Sequence, residues 1–103
     1  MVTYRFIEKG ENLGTRQLGA LVREDLLQVI LRSDKVCLDF SGVNVVSNSF
    51  ADECIAKLLL TMPLEELKSK TTFTGLNAFA QKNIAVALSR RYQLTNQQCN
   101  SKD

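Results

Sequence analysis

Apolar side chains recur along the chain in two alternating rhythms. Residues 2–7, VTYRFI, alternate and carry β-branched and aromatic side chains, which predicts a strand suited to a sheet edge. Gly10, Asn12 and Gly14 punctuate a turn, and Thr15 is placed to cap the helix that follows. Leu18, Leu21, Val22, Leu26, Val29 and Ile30 then fall at three- and four-residue steps, one apolar stripe running to about Arg32. Arg16, Arg23, Glu24 and Gln28 lie mostly on the other side. Ser33-Asp34 breaks this helix. The run KVCLDF, 35–40, is nearly all apolar, which suits a strand covered on both faces in a parallel sheet. Ser41-Gly42 ends it. A second helix begins near Ser49 and buries Phe50, Cys54, Ile55, Leu58, Leu59 and Met62, with Asp52, Glu53 and Lys57 facing out; Pro63 stops it. PLEELKSK suits a short helical turn and TTFTGL, 71–76, a third strand. Ala80, Ile84, Ala87 and Leu88 mark a third helix from about Asn77 to Tyr92. Tyr4, Phe6 and Phe73 are strand aromatics, with core packing as their default use.

The order strand-helix three times over predicts a small α/β domain, βαβαβα, with a parallel or mixed sheet and right-handed crossovers. The expected domain is 1–92, followed by a polar, flexible tail at 93–103. No internal repeat or low-complexity segment is present. Three strands make a thin sheet, so an exposed edge is expected, open to a partner or to a second copy in a homodimer.

Composition narrows the chemistry. The chain has 103 residues, 13 Lys and Arg against 11 Asp and Glu, and no histidine. A net charge of +2 is too weak for a nucleic-acid partner. Without histidine, Ser-His-Asp and Cys-His catalysis and imidazole metal sites are excluded. Cys37, Cys54 and Cys99 form no C-x-x-C, so zinc ribbons and thioredoxin-type sites are excluded too. Cys37 and Cys54 sit in apolar runs and read as buried, whereas Cys99 in the polar tail reads as an exposed thiol. No apolar run reaches the roughly 18 residues of a membrane span, and the N-terminus has no signal pattern. A soluble, cytoplasmic, non-enzymatic protein without metal or cofactor is the expectation.

In open α/β sheets, binding groups collect beyond the carboxyl ends of the strands. That region is D-F-S-G-V-N-V-V-S-N-S-F-A-D, 39–52. Asp39 ends the central strand and is placed to hold the Ser41-Gly42 turn. Ser47, Asn48 and Ser49 stand where the second helix starts, among free N–H groups that favour anions. Ser49-x-x-Asp52 also matches a capping box, worth about 1 kcal/mol. Gly19 lies inside the first helix, where close approach to the sheet is one use for it. Lys82, Arg90 and Arg91 form a basic patch near the end of the third helix, where capping of the negative dipole end is the simpler account.

The stretch LDFSGVNVVSNSFADE resembles the signature of STAS domains, the bacterial anti-anti-sigma factor family: a strand ending D-x-S-x-V, a short loop, then D-S-S/T-G-L opening a helix. Leu38, Asp39, Ser41, Gly42 and Val43 match the first half. Ser49, Phe50, Ala51, Asp52 and Glu53 are closer to an uncharacterised STAS-like branch. Ser47 stands where the family often has Asp, and Phe50 where it has Gly. A helix between the first two strands also departs from the usual STAS order. The resemblance implies a regulatory module that docks a histidine-kinase-like ATPase or anti-sigma factor through 39–53. Ser49 aligns with the serine or threonine phosphorylated by that partner, Ser47 and Asn48 are its neighbours, Asp39 and Ser41 shape the loop, and Asp52 and Glu53 are polar contacts.

Two other classes compete with this one. A nucleotide or anion sensor fits the helix start but lacks a Gly-rich phosphate loop. A small enzyme using Asp39, Asp52, Glu53 and Ser49 lacks a base beside the serine, and adjacent carboxylates point about 100° apart on a helix.

Overall fold

The computed structural model describes residues 1–100, with side chains to Leu94. Strand β1 (Val2–Arg5) runs into a 3-10 turn, Phe6–Lys9, and then into β2 (Asn12–Leu13) and helix α1 (Arg16–Arg32). Strands β3 (Val36–Asp39) and β4 (Val45–Val46) follow. Helix α2 covers 48–60 in three hydrogen-bonding patterns: α over Asn48–Phe50, π over Ala51–Ile55 and 3-10 over Ala56–Leu60. Helix α3 (Leu64–Lys70), β5 (Thr71–Thr74) and α4 (Ala78–Asn100) complete the chain.

The main sheet is parallel and ordered β1-β3-β5, with Val36 opposite both Val2 and Thr71. It is the α/β arrangement that the alternation of strands and helices implies, and the apolar run at 35–40 supplies its central strand. Both crossovers advance in the same direction across the sheet. Right-handed connections then put the intervening helices on one side only. Tyr4, Val36, Leu38 and Thr71 point to that side and are buried. Thr3, Arg5, Thr72 and Thr74 point to the other side and are exposed, with Cys37 and Asp39 half-buried among them. Coverage of 35–40 on both faces is therefore corrected: the sheet is one-sided, and Cys37 lies on its open face.

The predicted strand over 2–7 stops at Arg5, because Phe6 turns down into the core. Its ring stacks on Phe40 at 4.0 Å and meets Tyr4 edge-on at 4.9 Å. Phe73 reaches Phe40 at 6.2 Å but stays 38% exposed, since β5 is an edge strand. Val22, Leu26 and Ile30 of α1 are buried as the stripe requires, whereas Leu21 turns to solvent. From α2, Phe50, Cys54, Ile55 and Leu58 fill the centre of the core, and Ala80, Ile84 and Ala87 of α4 close it.

Two short strands occupy what reads in sequence as turn and loop. β2 and β4 pair in parallel, Asn12 opposite Val45 and Leu13 opposite Val46, and bury Leu13 and Val46. The Ser47 N–H donates to the Leu13 carbonyl just beyond them. Parallel strands that end together start their helices together, so the first turns of α1 and α2 lie side by side. Helix α4 docks on the same unit: Asn83 donates to the Val46 carbonyl and Asn77 to the Asn44 carbonyl. It continues past Tyr92 to Asn100, a stretch without glycine or proline to stop it. The expected exposure of Cys99 and the character of 101–103 lie outside the described residues and side chains.

Candidate functional site

Thr15 caps α1 as expected, its Oγ1 accepting from the Leu18 N–H at 3.1 Å. The cap of α2 is Ser47 rather than Ser49. Ser47 Oγ accepts from the Phe50 N–H at 3.0 Å and donates to the Gly14 carbonyl at 2.9 Å. The sequence S-N-S offers two hydroxyls two residues apart, and the β2–β4 pair decides between them. It holds the chain extended through Ser47, at φ −71° and ψ 164°, and the next residue is helical. The Ser49/Asp52 capping box does not form. Ser49 becomes the second helical residue, half-buried, and its hydroxyl has no hydrogen-bond partner among the described residues.

The outward placement of Asp52, Glu53 and Lys57 is also corrected. Helices α1 and α4 pack on either side of α2, so the flank that carries Asp52, Glu53 and Lys57 meets protein and not solvent. Glu53 is only 8% exposed. Arg16 reaches it at 3.2 Å, Arg23 at 2.9 Å and Lys57 at 3.0 Å. Arg91 grips Asp52 with two parallel bonds of 2.8 Å, and Arg16 adds a third contact at 2.9 Å. Arg91 thus bridges α4 to α2 instead of capping a dipole. Gly19 makes room for this packing: a Cβ there would stand 2.9 Å from Glu53 Cβ. The close approach that Gly19 permits is to α2, not to the sheet.

These contacts set the acidities. Hydrogen bonds, led by those from Arg91, hold Asp52 at about 2, and hydrogen bonds led by that from Lys57 hold Glu53 at about 2. Both carboxylates are anions throughout the neutral range, far from the poise of a general base. Burial pushes the Cys54 thiol up to about 12. Asp39 is lowered by the Ser41 backbone N–H, which donates to its Oδ1 at 2.9 Å, so Asp39 holds its turn as expected. Gly42, at φ +85°, completes that turn in a conformation glycine adopts without strain.

A cleft of about 220 Å³ opens between the start of α2 and the side of α4. Arg16, Asn48 and Ser49 line one wall and Val86, Arg90 and Arg91 the other, with Asp52 tied to both Arg16 and Arg91. Of the residues expected to act together, Asn48, Ser49 and Asp52 meet here. Asp39, Ser41, Ser47 and Glu53 do not line the cleft; Ser47 caps and Glu53 is clamped behind it. Around the two carboxylates stand five cations, Arg16, Arg23, Lys57, Arg90 and Arg91, a local excess of three on a chain whose net charge is +2. Sequence reasoning missed Arg16, Arg23 and Arg91 as site residues. Arg16 carries a readable signal: it is the first residue of a helix with no acid in its first turn, where a cation is disfavoured by the macrodipole unless something pairs it.

Among the described residues no helix is long and apolar enough to cross a membrane, and no group of three His, Cys, Asp or Glu gathers where it could hold a metal ion. Fold and site define a small α/β domain built around an arginine-lined, serine-bearing helix start. The chain belongs to the family described as the STAS-like domain of unknown function (DUF4325), which matches residues 19–78, more than half its length. The match is to the STAS-like family, not to the anti-anti-sigma factors in particular, and it takes in β3, its turn and all of α2. No curated protein and no solved structure matches the chain.

Proposed function

We propose that this domain is a non-enzymatic regulatory module that docks a protein through the start of α2, with Ser49 as its switch. The observation that carries the reading is the setting of Ser49: an unbonded hydroxyl in an open cleft, with guanidinium groups on both walls. Phosphorylation there adds nearly two negative charges. The acids next in sequence, Asp52 and Glu53, do not oppose such a charge, because arginines and a lysine already neutralise them. The anti-anti-sigma resemblance suggests a histidine-kinase-like ATPase or anti-sigma factor as the docked protein. Wild type and Ser49→Asp, used as baits in extract of the native cell, test this. Wild type should recover a protein that Ser49→Asp releases, and equal recovery by both removes the switch.

A nucleotide or small-anion sensor is the second reading, favoured by the same arginine-lined cleft. Nucleotides raising the melting temperature of the wild type, and losing that effect in Arg90→Glu, would select it over the first.

A further inference from the structure

We propose that the exposed face of α4, continuous with the Ser49 cleft, seats an acidic amphipathic helix of the docked protein, an assignment that rests on the docking role argued above. Helix α4 is apolar on two sides. Ala80, Ile84 and Ala87 bury inward, yet Phe79, Val86 and Leu94 are 80%, 40% and 50% exposed. At about 100° per residue these three fall within a sector roughly 80° wide, with Arg90 between them and with Asn83, which reaches back to the Val46 carbonyl, toward its inner edge. A stripe spaced seven and eight residues along a helix is the spacing at which another helix lays its own apolar face. Val86, Arg90 and Leu94 also line the cleft, so stripe and cleft form one surface.

Charge selects the occupant. Between Ala78 and Asn100 the chain has Lys82, Arg90 and Arg91 and no Asp or Glu. Arg91 is engaged with Asp52, while Lys82 and Arg90 make no ion pair among the described residues. Arg16 adds a cation on the facing wall. A second copy of α4 laid antiparallel about Val86 would put Lys82 against Arg90 twice, like charge on like charge. A membrane surface would meet the outer stripe alone and leave Arg16 and the cleft that continues it unused. A helix with carboxylates flanking an apolar seam meets both the stripe and the cations.

The test pans a displayed library of twenty-residue peptides on the full chain. Selected peptides are then measured by fluorescence anisotropy against wild type, Val86→Lys and Arg90→Glu. Both substitutions are at exposed positions, and far-UV circular dichroism checks their folding. Selected peptides should carry an excess of Asp and Glu with apolar residues at three- and four-residue steps. They should bind each variant at least tenfold more weakly and weaken with salt. Failure to select any binder, binders without acidic excess, or binders indifferent to both variants overturns the assignment. So does binding of the chain to phosphatidylserine vesicles that the same variants abolish, or a dimer in light scattering that Val86→Lys dissolves. Val86→Lys and Arg90→Glu also serve as baits beside Ser49→Asp. A protein released by Ser49→Asp yet held equally by both α4 variants sinks the α4 seat and leaves the docking role standing. A wild-type bait that recovers nothing sinks the docking role itself.

Discussion

Two serines separated by one residue divide the start of α2 between a structural cap and the proposed switch, and replacing each by alanine measures the division. Ser47→Ala removes the acceptor of the Phe50 N–H and the donor to the Gly14 carbonyl. Loss of an N-cap costs about 1 kcal/mol, and loss of the second hydrogen bond about another 1 kcal/mol. The expected destabilisation is therefore about 2 kcal/mol, which in a domain of this size lowers the melting temperature by roughly 8–16 °C. Ser49→Ala removes a hydroxyl with no partner and installs a better helix former, so its effect should stay within about 0.5 kcal/mol. Urea denaturation followed by far-UV circular dichroism gives both numbers, the midpoint moving at constant slope. If Ser49→Ala costs as much as Ser47→Ala, or more, the cap is at Ser49 and the reasoning fails. If the ranking holds, substitutions at Ser49 test the proposed docking without disturbing the fold.

The remaining expectations concern the packing behind the cleft. Gly19→Ala should destabilise by about 1 kcal/mol, since overpacking against Glu53 Cβ outweighs the gain of up to ~1 kcal/mol in helix propensity; Gly14→Ala, with nothing within 4 Å, should cost nothing, and both are read by thermal unfolding. Asp52 and Glu53 sit near 2 in the folded chain against ordinary values of 3.8 and 4.5, so the stability they lend is complete above about pH 5 and is lost as the pH falls toward 2. Urea midpoints measured from pH 7 to pH 2.5 should fall on the acid side, and the double variant Asp52→Asn/Glu53→Gln should show a shallower fall. In a Cys99→Ser background, a thiol reagent should modify half-buried Cys37 in the folded protein and reach buried Cys54 only on unfolding.

Much of this architecture is written in local pattern. The apolar run at 35–40, the stripe ending at Ile30, the Thr15 cap and the Asp39–Ser41 turn each depend on neighbours in sequence, and each is where periodicity places it. What escapes the sequence depends on pairs far apart. Strands of two residues carry no periodicity, so β2 and β4 read as loops until their pairing is seen, and with them goes the choice between Ser47 and Ser49. The outward placement of Asp52 and Glu53 rested on the period of α2 alone, which does not show that α1 and α4 pack on both of its flanks. One-sided coverage of the sheet follows from the direction of both crossovers, a property of strand order rather than of any strand. Of the expected site, the helix start with Asn48, Ser49 and Asp52 was legible; the arginines from α1 and α4 were not, because they arrive from 36 and 39 residues away.

Asp52 links the two walls of the cleft. It lies three residues after Ser49, on the same side of the helix start, and it holds Arg16 of α1 and Arg91 of α4 at once. In the proposed switch, a phosphate on Ser49 enters a cleft whose two walls are linked through that single carboxylate. It competes for the same guanidinium groups, and a doubly charged oxyanion competes well. Any exchange of Arg91 between Asp52 and that phosphate would change how α4 is tethered to α2 and so would link the proposed switch to the exposed stripe of α4. Partly buried carboxylate–guanidinium pairs gain little over a well-packed apolar contact of the same volume. Under the proposed switch, the two carboxylates and five cations at the junction of three helices are what would let its packing respond to added charge.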